Sequence, residues 1–221
     1  MTLDFKNPQL LITALSHRSS LNEKSQSGTT ATESNERLEF LGDAVLELAA
    51  TLYLYENYPN EDEGKLTAYR SSLVRTETLA KLAKELELND KMFLSKGEER
   101  GGGRENESLL ADLMEAVIGA MYLDQGFTIV QDFLAKYLFP KFEGILQSKS
   151  YKDQKSLLQE EVQARSLSTP IYRVVKAMGP DHNKEFTVEV LVGDEIWGVG
   201  TGHSKQLAQQ AAASVALQKL A

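Results

Sequence analysis

The chain has 221 residues, which is long enough for one large domain or two small ones. Hydrophobic residues make up 42% of it and cysteine is absent, so the sequence excludes a disulfide framework and a cysteine-ligated metal site. The first residues lack the apolar run of a signal peptide, and no stretch approaches the roughly 20 apolar residues of a membrane span. We therefore expect a soluble, cytoplasmic protein without a membrane partner.

The formal net charge of −8 is unevenly distributed along the chain. Residues 151–221 carry 8 basic and 8 acidic side chains, whereas residues 1–150 carry 16 basic and 24 acidic ones. A surplus of carboxylates argues against nucleic acid as a partner, because such binding relies on Lys and Arg that neutralise phosphates. An acidic domain can nevertheless bind phosphate when metal ions bridge the two negative surfaces.

The N-terminal part of the chain predicts a helix followed by a polar loop. The helix opens at Asn7-Pro8-Gln9, and the polar residues 22–34 indicate a loop before the next helix. Between them lies His17. Because a lone histidine in a helical context is usually a satisfied structural residue, we interpret His17 as structural.

Residues 35–58 predict a long helix that Pro59 ends, and this helix has two faces. One face carries a predicted core stripe formed by Leu38, Leu41, Val45, Leu48 and Leu52. The opposite face carries four carboxylates, those of Glu36, Glu39, Asp43 and Glu47. Like charges one turn apart destabilise a helix, so these carboxylates form either a solvated acidic face or part of a divalent-metal site. Beside them, Phe40 should be exposed unless another chain covers it.

Residues 109–124 predict a second helix that is apolar nearly all round and therefore buried. Only Asp112 and Glu115 interrupt it before Asp124, and their spacing of three places both on one side. Buried carboxylates are costly unless they are paired or bound to metal. Gly119 lies on the same side, where a missing side chain would allow close helix approach. We therefore favour a divalent-metal cage built from the two acidic helices.

The other helices of this region follow from their apolar periodicity, and they are predicted at 65–74, 77–86, 128–138 and 142–147. The glycine-rich segment 95–104 indicates a flexible loop. It does not resemble a Walker phosphate-binding loop, because no Gly-Lys-Ser/Thr opens the next helix. The pattern then changes to a helix at 155–165, strands at 171–177, 185–192 and 195–200, and an alanine-rich helix at 204–220.

Three parts of the sequence carry a resemblance to the ribonuclease III family. The run NERLEFLGDAVL, from Asn35 to Leu46, resembles the gap-free family signature, and the segment from Glu107 to Asp124 resembles its second acidic motif. The α-β-β-β-α order at the C-terminal end is similar to the family's double-stranded-RNA-binding domain. The resemblance implies an all-α endonuclease domain at 1–146, a linker at 147–153 and a small α+β RNA-binding domain at 154–221.

The family resemblance also implies an activity and a set of site residues. The implied activity is Mg²⁺-dependent cleavage of double-stranded RNA, with Mn²⁺ as a possible substitute and a homodimer as the working unit. The implied products carry 5′-phosphate and 3′-hydroxyl ends with two-nucleotide 3′ overhangs, and the implied substrates include ribosomal RNA precursors. The metal ligands are then Glu39, Asp43, Asp112 and Glu115, with Asp43 and Glu115 catalytic. Glu36 and Glu63 help to place the RNA or a second ion, and Phe40 packs across the dimer interface.

The C-terminal residues that the resemblance assigns to RNA contacts belong to three elements. A helix supplies Gln159 and Gln163, a turn supplies Pro180 and His182, and the start of the last helix supplies Ser204 and Lys205. Such domains read duplex RNA by shape, through 2′-hydroxyls and phosphates. The chain departs from the family's lysine cluster, because glutamine stands at positions 206 and 209. We therefore expect weaker and less salt-dependent RNA binding than in a lysine-rich relative.

Two alternatives to this enzyme remain open from the sequence. A duplex-RNA binder that retains the fold without cleaving would have a broken acidic set, whereas all six carboxylate positions are filled here. The C-terminal domain could instead be a protein–protein module of the same fold, and scaffolding of other RNA enzymes could be an additional role.

Overall fold

The computed structural model describes residues 4–22, 33–180 and 184–220. Contacts within the chain divide it into two compact units, Met1–Tyr151 and Lys152–Ala221. This division falls inside the segment 147–153 that the sequence predicts as a linker. Of the loop predicted over 22–34, residues 23–32 lie outside the described residues.

The first unit is helical. Its α-helices are α1 (Pro8–Ala14), α2 (Glu36–Asn57), α3 (Glu63–Leu73), α4 (Thr76–Glu85), α5 (Lys96–Arg100), α6 (Glu107–Gln125), α7 (Phe127–Tyr137) and α8 (Phe142–Gln147). The predicted bounds of α3, α4, α7 and α8 agree with these within two residues. Across the described ranges, none of the helices combines the length and the hydrophobicity that a membrane span needs.

Helix α6 is the centre of the first core, as its apolar sequence predicts. It packs against α1, α2, α4 and α7. Its fully buried side chains include Leu110, Leu113, Met114, Val117 and Ile118. At about 25 cal/mol per Å² of apolar surface, a core of this kind supplies most of the stabilisation of the unit. This core therefore holds the backbone of α6 rigidly at Asp112 and Glu115, the two acidic positions within its apolar sequence.

Two glycines bring the backbones of α2 and α6 into direct contact. A Cβ atom at Gly42 would lie 1.8 Å from the carbonyl oxygen of Glu115, and one at Gly119 would lie 2.2 Å from the carbonyl oxygen of Leu38. Real Cβ atoms do not approach other heavy atoms so closely, so neither position accommodates a side chain. The prediction that Gly119 allows close helix approach is confirmed, and Gly42 is its counterpart on α2.

The predicted leucine stripe of α2 is wrong at one position. Leu38 and Val45 are buried as expected, but the side chain of Leu48 is 52% exposed. The face that contacts the core instead includes one larger residue and three small ones, namely Leu46, Gly42, Ala49 and Ala50. The close glycine contact turns the small residues of α2 toward α6, so the wider leucine arc lies partly outside the core.

The glycine-rich segment 95–104 is folded, and its prediction as a flexible loop is wrong. It forms α5 and a short 3₁₀ helix at Gly103–Glu105. The Arg104 guanidinium donates hydrogen bonds to the carbonyl oxygens of Asn89 and Met92, at 2.7 and 3.0 Å, and pairs with Glu99 at 2.7 Å. These contacts fix the segment, because moving the Arg104 side chain would break several hydrogen bonds at once and leave their acceptors without a donor.

The second unit has the predicted α-β-β-β-α order. Its elements are α9 (Gln154–Ala164), β1 (Ile171–Met178), β2 (Glu185–Val192), β3 (Glu195–Gly202) and α10 (Lys205–Gln218). The strands form one antiparallel sheet in the order β1-β2-β3. The inward side chains of β2 are Val188, Val190 and Val192, which pack against α9 and α10.

Small residues set the distance between α10 and the sheet. The buried face of α10 consists of alanines, Ala208, Ala212, Ala213 and Ala216. A Cβ atom at Gly198 or Gly200 of β3 would lie 2.3 or 2.2 Å from backbone atoms of Ala212. The alanine-rich composition of α10 is therefore required by the short distance at which it lies on β3.

The glycine contact between α2 and α6 predicts a large stability cost for a single methyl group. We expect Gly42→Ala to lower the free energy of unfolding by about 3 kcal/mol or more, because the added Cβ meets a backbone oxygen that cannot move alone. Gly144→Ala in α8 is the matched control, since a Cβ there meets nothing within 4 Å. Thermal unfolding of the whole chain measures both variants, and an equal midpoint for the two would contradict the contact.

Candidate active site and nucleic-acid interface

Three carboxylates from α2 and α6 converge where the two helices touch. Glu39, Asp112 and Glu115 each offer an oxygen atom, and these atoms lie within 4.8 Å of one another. All three side chains are partly buried. Glu39 lies one turn before Gly42 on α2, and Glu115 lies one turn before Gly119 on α6. The glycine contact therefore brings the acidic positions of both helices to one place.

Local structure holds α6 at its start. Asn106 is the N-cap, and its side-chain oxygen accepts hydrogen bonds from the backbone N–H groups of Ser108 and Leu109, at 2.9 and 3.2 Å. This cap fixes the first turn of α6, one turn ahead of Asp112. The position of Asp112 is thus set by the cap on one side and by the buried core on the other.

Burial raises the pKa values of all three clustered carboxyls, and neighbouring carboxylates raise those of Glu39 and Glu115 further. Burial is the largest cause for Glu115, followed by the charges of Asp43, Asp112 and Glu39, and together they raise its pKa to about 8. Burial and then the charges of Asp112, Glu36 and Asp43 raise the pKa of Glu39. Burial likewise raises the pKa of Asp112. Carboxylates this close to one another disfavour ionisation, and a positive charge placed among them would favour it.

The cluster fits a hard divalent cation. Carboxylate oxygens are the ligands that Mg²⁺, Mn²⁺ and Ca²⁺ prefer, and these side chains offer no nitrogen or sulfur. A bound cation would remove the repulsion that raises the pKa of Glu115. The donor set therefore suits a hard divalent cation in both ligand type and charge.

The structure does not place every predicted site residue in the cluster of Glu39, Asp112 and Glu115. Asp43 is exposed and lies outside that group, although its charge acts on both glutamates. Glu36 pairs with Arg18 at 3.5 Å, and the Ser34 hydroxyl donates to it at 2.8 Å. Glu63 lies in the first turn of α3, where the Thr67 hydroxyl donates to it at 3.5 Å.

Sequence reasoning missed one residue near the cluster. The charge of His17 lowers the pKa of Asp112, against the larger effect of burial, so the imidazole lies close to that carboxyl. Its Nδ1 atom lies 2.8 Å from the Ser19 hydroxyl oxygen, which also accepts a hydrogen bond from the Ser95 N–H at 3.0 Å. No local pattern links positions 17 and 112, so only the folded chain reveals the proximity.

The described RNA-contact candidates of the second unit lie on its surface. Gln159 and Gln163 are exposed one turn apart on α9, and Pro180 is exposed after β1. The Ser204 hydroxyl caps α10 by accepting the Leu207 N–H at 3.1 Å. Lys205 is exposed in the first turn of α10. His182 lies outside the described residues.

Comparison with known proteins agrees for both units. Residues 7–142 match the family model described as ribonuclease-III-like, and residues 154–220 match the double-stranded RNA binding motif. The chain is 47% identical to ribonuclease 3 of Pelotomaculum thermopropionicum over 97% of this chain and 88% of that protein. It is 44% identical to ribonuclease 3 of Borreliella afzelii over 100% of this chain and 88% of that protein.

A solved structure shows the same likeness for the first unit. The nuclease domain of ribonuclease III from Campylobacter jejuni is 39% identical, with a TM-score of 0.55 over 62% of this chain and 92% of that chain. A helical nuclease unit with a carboxylate cluster, joined to a double-stranded-RNA-binding unit, defines an endoribonuclease. The chain belongs to the ribonuclease III family. The predicted family and fold class are therefore confirmed.

The raised pKa of Glu115 predicts how stability depends on pH in the metal-free protein. Below about pH 4.5 its carboxyl is protonated in the folded and unfolded chains alike. Between that pH and about 8 the unfolded chain ionises while the folded chain keeps the proton, so the free energy of unfolding falls as pH rises. Glu115→Gln removes this contribution, so its midpoint should exceed that of the wild type increasingly toward pH 8.

Thermal unfolding in EDTA from pH 5 to 8.5 measures this difference. Glu56→Gln is the matched control, because Glu56 is exposed on the same α2 helix that carries Glu39 and lies outside the carboxylate cluster. A difference between Glu115→Gln and the wild type that stays constant across this range would contradict the assignment.

Proposed function

We propose that this endoribonuclease is Mg²⁺-dependent and cleaves double-stranded RNA to 5′-phosphate and 3′-hydroxyl ends with two-nucleotide 3′ overhangs. The approach of Glu39, Asp112 and Glu115 within 4.8 Å is the observation that carries the proposal. Membership of the ribonuclease III family supports the substrate class. Mn²⁺ would replace Mg²⁺, since both cations take carboxylate oxygens.

The metal ligands in this proposal are Glu39, Asp43, Asp112 and Glu115. When bound, a divalent ion lowers the pKa of water and stabilises the charge that develops on the attacked phosphate. The side chains of this chain contribute position and charge. Glu39, Asp112 and Glu115 are fixed by two buried helix faces, whereas Asp43 is exposed and contributes its carboxylate from one turn further along α2.

The glutamates outside the cluster have supporting roles in the proposal. Glu36 adds negative charge to the field around Glu39, and its ion pair with Arg18 keeps a cation beside the site. We assign Glu36 and Glu63 to placing the RNA or a second ion. For Glu63 this assignment rests on the family resemblance, since the side-chain contact that the described structure gives it is with the Thr67 hydroxyl.

The proposed working unit is a homodimer. The side chain of Phe40 is 82% exposed on α2, and Tyr55 and Leu48 of the same helix are 71% and 52% exposed. Such exposed apolar side chains are costly in water and typical of protein interfaces. The nuclease domain of Campylobacter jejuni ribonuclease III has a region involved in dimer formation. Staggered cuts on the two RNA strands also require two active sites acting together.

The proposed natural substrates are ribosomal RNA precursors and other structured RNAs, with the cytoplasm as the place of action. Family membership alone supports these two points. Processing of messenger RNA that contains long duplex regions belongs to the same proposal, because duplex-RNA domains read shape more than sequence.

Cleavage of a long duplex RNA tests the proposed activity directly. We expect short products with Mg²⁺ and intact RNA in EDTA. Glu115→Gln should lower the cleavage rate by about a hundredfold or more while leaving RNA affinity unchanged, because it removes one ligand charge from the cluster. Glu56→Gln should cleave as the wild type does. A shifted but intact RNA band for the wild type with Mg²⁺ would favour the non-cleaving binder instead.

The dimer is tested by measuring the mass of the protein in solution. We expect Phe40→Ser to weaken the dimer at least tenfold, since it removes the most exposed aromatic ring of the proposed contact. Ile129→Ser is the control, because Ile129 is an exposed apolar residue on α7. Light scattering after gel filtration distinguishes the two, and a monomeric wild type would overturn the proposal.

A further inference from the structure

His17 lies on a short segment between α1 and α2, and this segment is bonded to the start of α2 on both sides of the imidazole. The Asn35 N–H donates a hydrogen bond to the carbonyl oxygen of Ser16 at 2.9 Å. On the other side of His17, the Arg18 guanidinium pairs with Glu36 at 3.5 Å. The backbone that carries the imidazole is therefore held against the helix that supplies part of the carboxylate cluster.

This connection brings His17 close to the cluster. The carbonyl oxygen of Asn35 accepts the Glu39 N–H at 2.9 Å, so a single hydrogen-bonded turn links the Ser16 contact to Glu39. Burial raises the pKa of Asp112, and a positive charge on His17 would act against that rise. Because such an effect weakens with distance, the imidazole lies beside the cluster on the side of Asp112.

One nitrogen of the imidazole is already bonded. Its Nδ1 atom lies 2.8 Å from the Ser19 hydroxyl oxygen, and the Ser19 N–H donates to the same atom at 3.3 Å. A backbone N–H can only donate, so Nδ1 acts as an acceptor in this arrangement and carries no proton. The neutral ring then has its proton on Nε2. The Ser19 side chain is itself held, since its oxygen accepts the Ser95 N–H at 3.0 Å.

An N–H donor in this place suits a carboxylate that binds a cation. A carboxylate has two oxygen atoms, and a hydrogen bond to one of them fixes the direction in which the other meets a metal ion. Burial and His17 are the two influences on the pKa of Asp112 within the described part of the chain, and no hydrogen bond is among them. The Nε2–H group of His17 is therefore the donor best placed to orient Asp112.

We infer that His17 is a positioning residue for Asp112, held by Ser19 with its proton on Nε2 so that this N–H orients the Asp112 carboxylate. The inference deepens the proposed metal-dependent function and depends on it. His17 acts through Asp112 and is not itself a metal ligand. Ser19 acts one step further from the cluster, since its contacts determine which ring nitrogen carries the proton.

Nuclear magnetic resonance of the metal-free wild type tests the state of the imidazole. With nitrogen-labelled histidine in EDTA at about pH 8, we expect His17 to show the pure Nε2–H form, because Nδ1 accepts from Ser19. The signals of His17 are assigned by their loss in His17→Gln. His203 is exposed in the second unit, so its shifts should average over both neutral forms. A proton on Nδ1 of His17, or averaged shifts like those of His203, would overturn the inference.

Binding of Mn²⁺ to the full chain without RNA separates positioning from packing. We expect His17→Asn to weaken Mn²⁺ binding about tenfold or more, because outer hydrogen-bond partners of metal ligands contribute about 10–100-fold to metal affinity. His17→Gln should retain most of the affinity, since its longer amide places an N–H donor near the position of Nε2. His203→Asn is the matched control and should bind Mn²⁺ as the wild type does.

The variants also show how the inference would fail. Equal losses of Mn²⁺ affinity in His17→Asn and His17→Gln would assign the ring a packing role and overturn the inference. An unchanged affinity in His17→Asn would overturn it as well. Absence of Mn²⁺ binding by the wild type would instead overturn the proposed metal-dependent function, on which the inference rests.

Discussion

The contact between Gly42 and Gly119 is the constraint on which the candidate active site depends. Backbone atoms of α2 and α6 meet there at distances that exclude a Cβ atom. Side chains one turn away must therefore share a narrow space, and those side chains include Glu39 and Glu115. A larger residue at either glycine would separate the helices and, with them, the carboxylates. The same contact thus creates both the tight core packing and the electrostatic repulsion of the site.

This repulsion is a local cost that the rest of the first unit offsets. Burial and neighbouring charges raise the pKa of Glu115 to about 8, so ionising the metal-free cluster at neutral pH opposes folding. The buried face of α6 supplies the compensation, because Leu113, Met114 and Val117 are fully buried beside the acidic positions. Apolar packing thus fixes the helices that carry the carboxylates, so the proposed metal site would be preorganised by the core.

The sequence predicts the elements well because their apolar periods are strong, and it predicts the acidic residues because carboxylates in an otherwise apolar helix are rare. The sequence-based prediction fails for α2, where two overlapping faces of the helix could both be the buried one. The leucine arc of α2 predicts a buried Leu48, but the small residues around Gly42 face α6 instead, and the periodicity cannot choose between these overlapping arcs. Nor can it place His17 near Asp112, since that proximity joins positions 95 residues apart. The fold of 95–104 depends similarly on Arg104 reaching backbone carbonyls outside its own segment.

The two units differ in net charge, and this difference affects how each of them can interact with RNA. The first unit carries the whole net charge of −8 and would repel phosphate at its cluster without a cation. The second unit has no net charge, so its attraction for RNA depends on where its individual cations lie. The Lys155 ammonium group is one ordered cation of this unit, because it donates to the side-chain oxygen of Gln209 at 2.8 Å and lies 5.1 Å from the centre of the Tyr172 ring. A few ordered cations also release few counterions, so RNA binding by such a domain depends less on salt, whereas the proposed cleavage by the acidic unit would depend on a divalent metal.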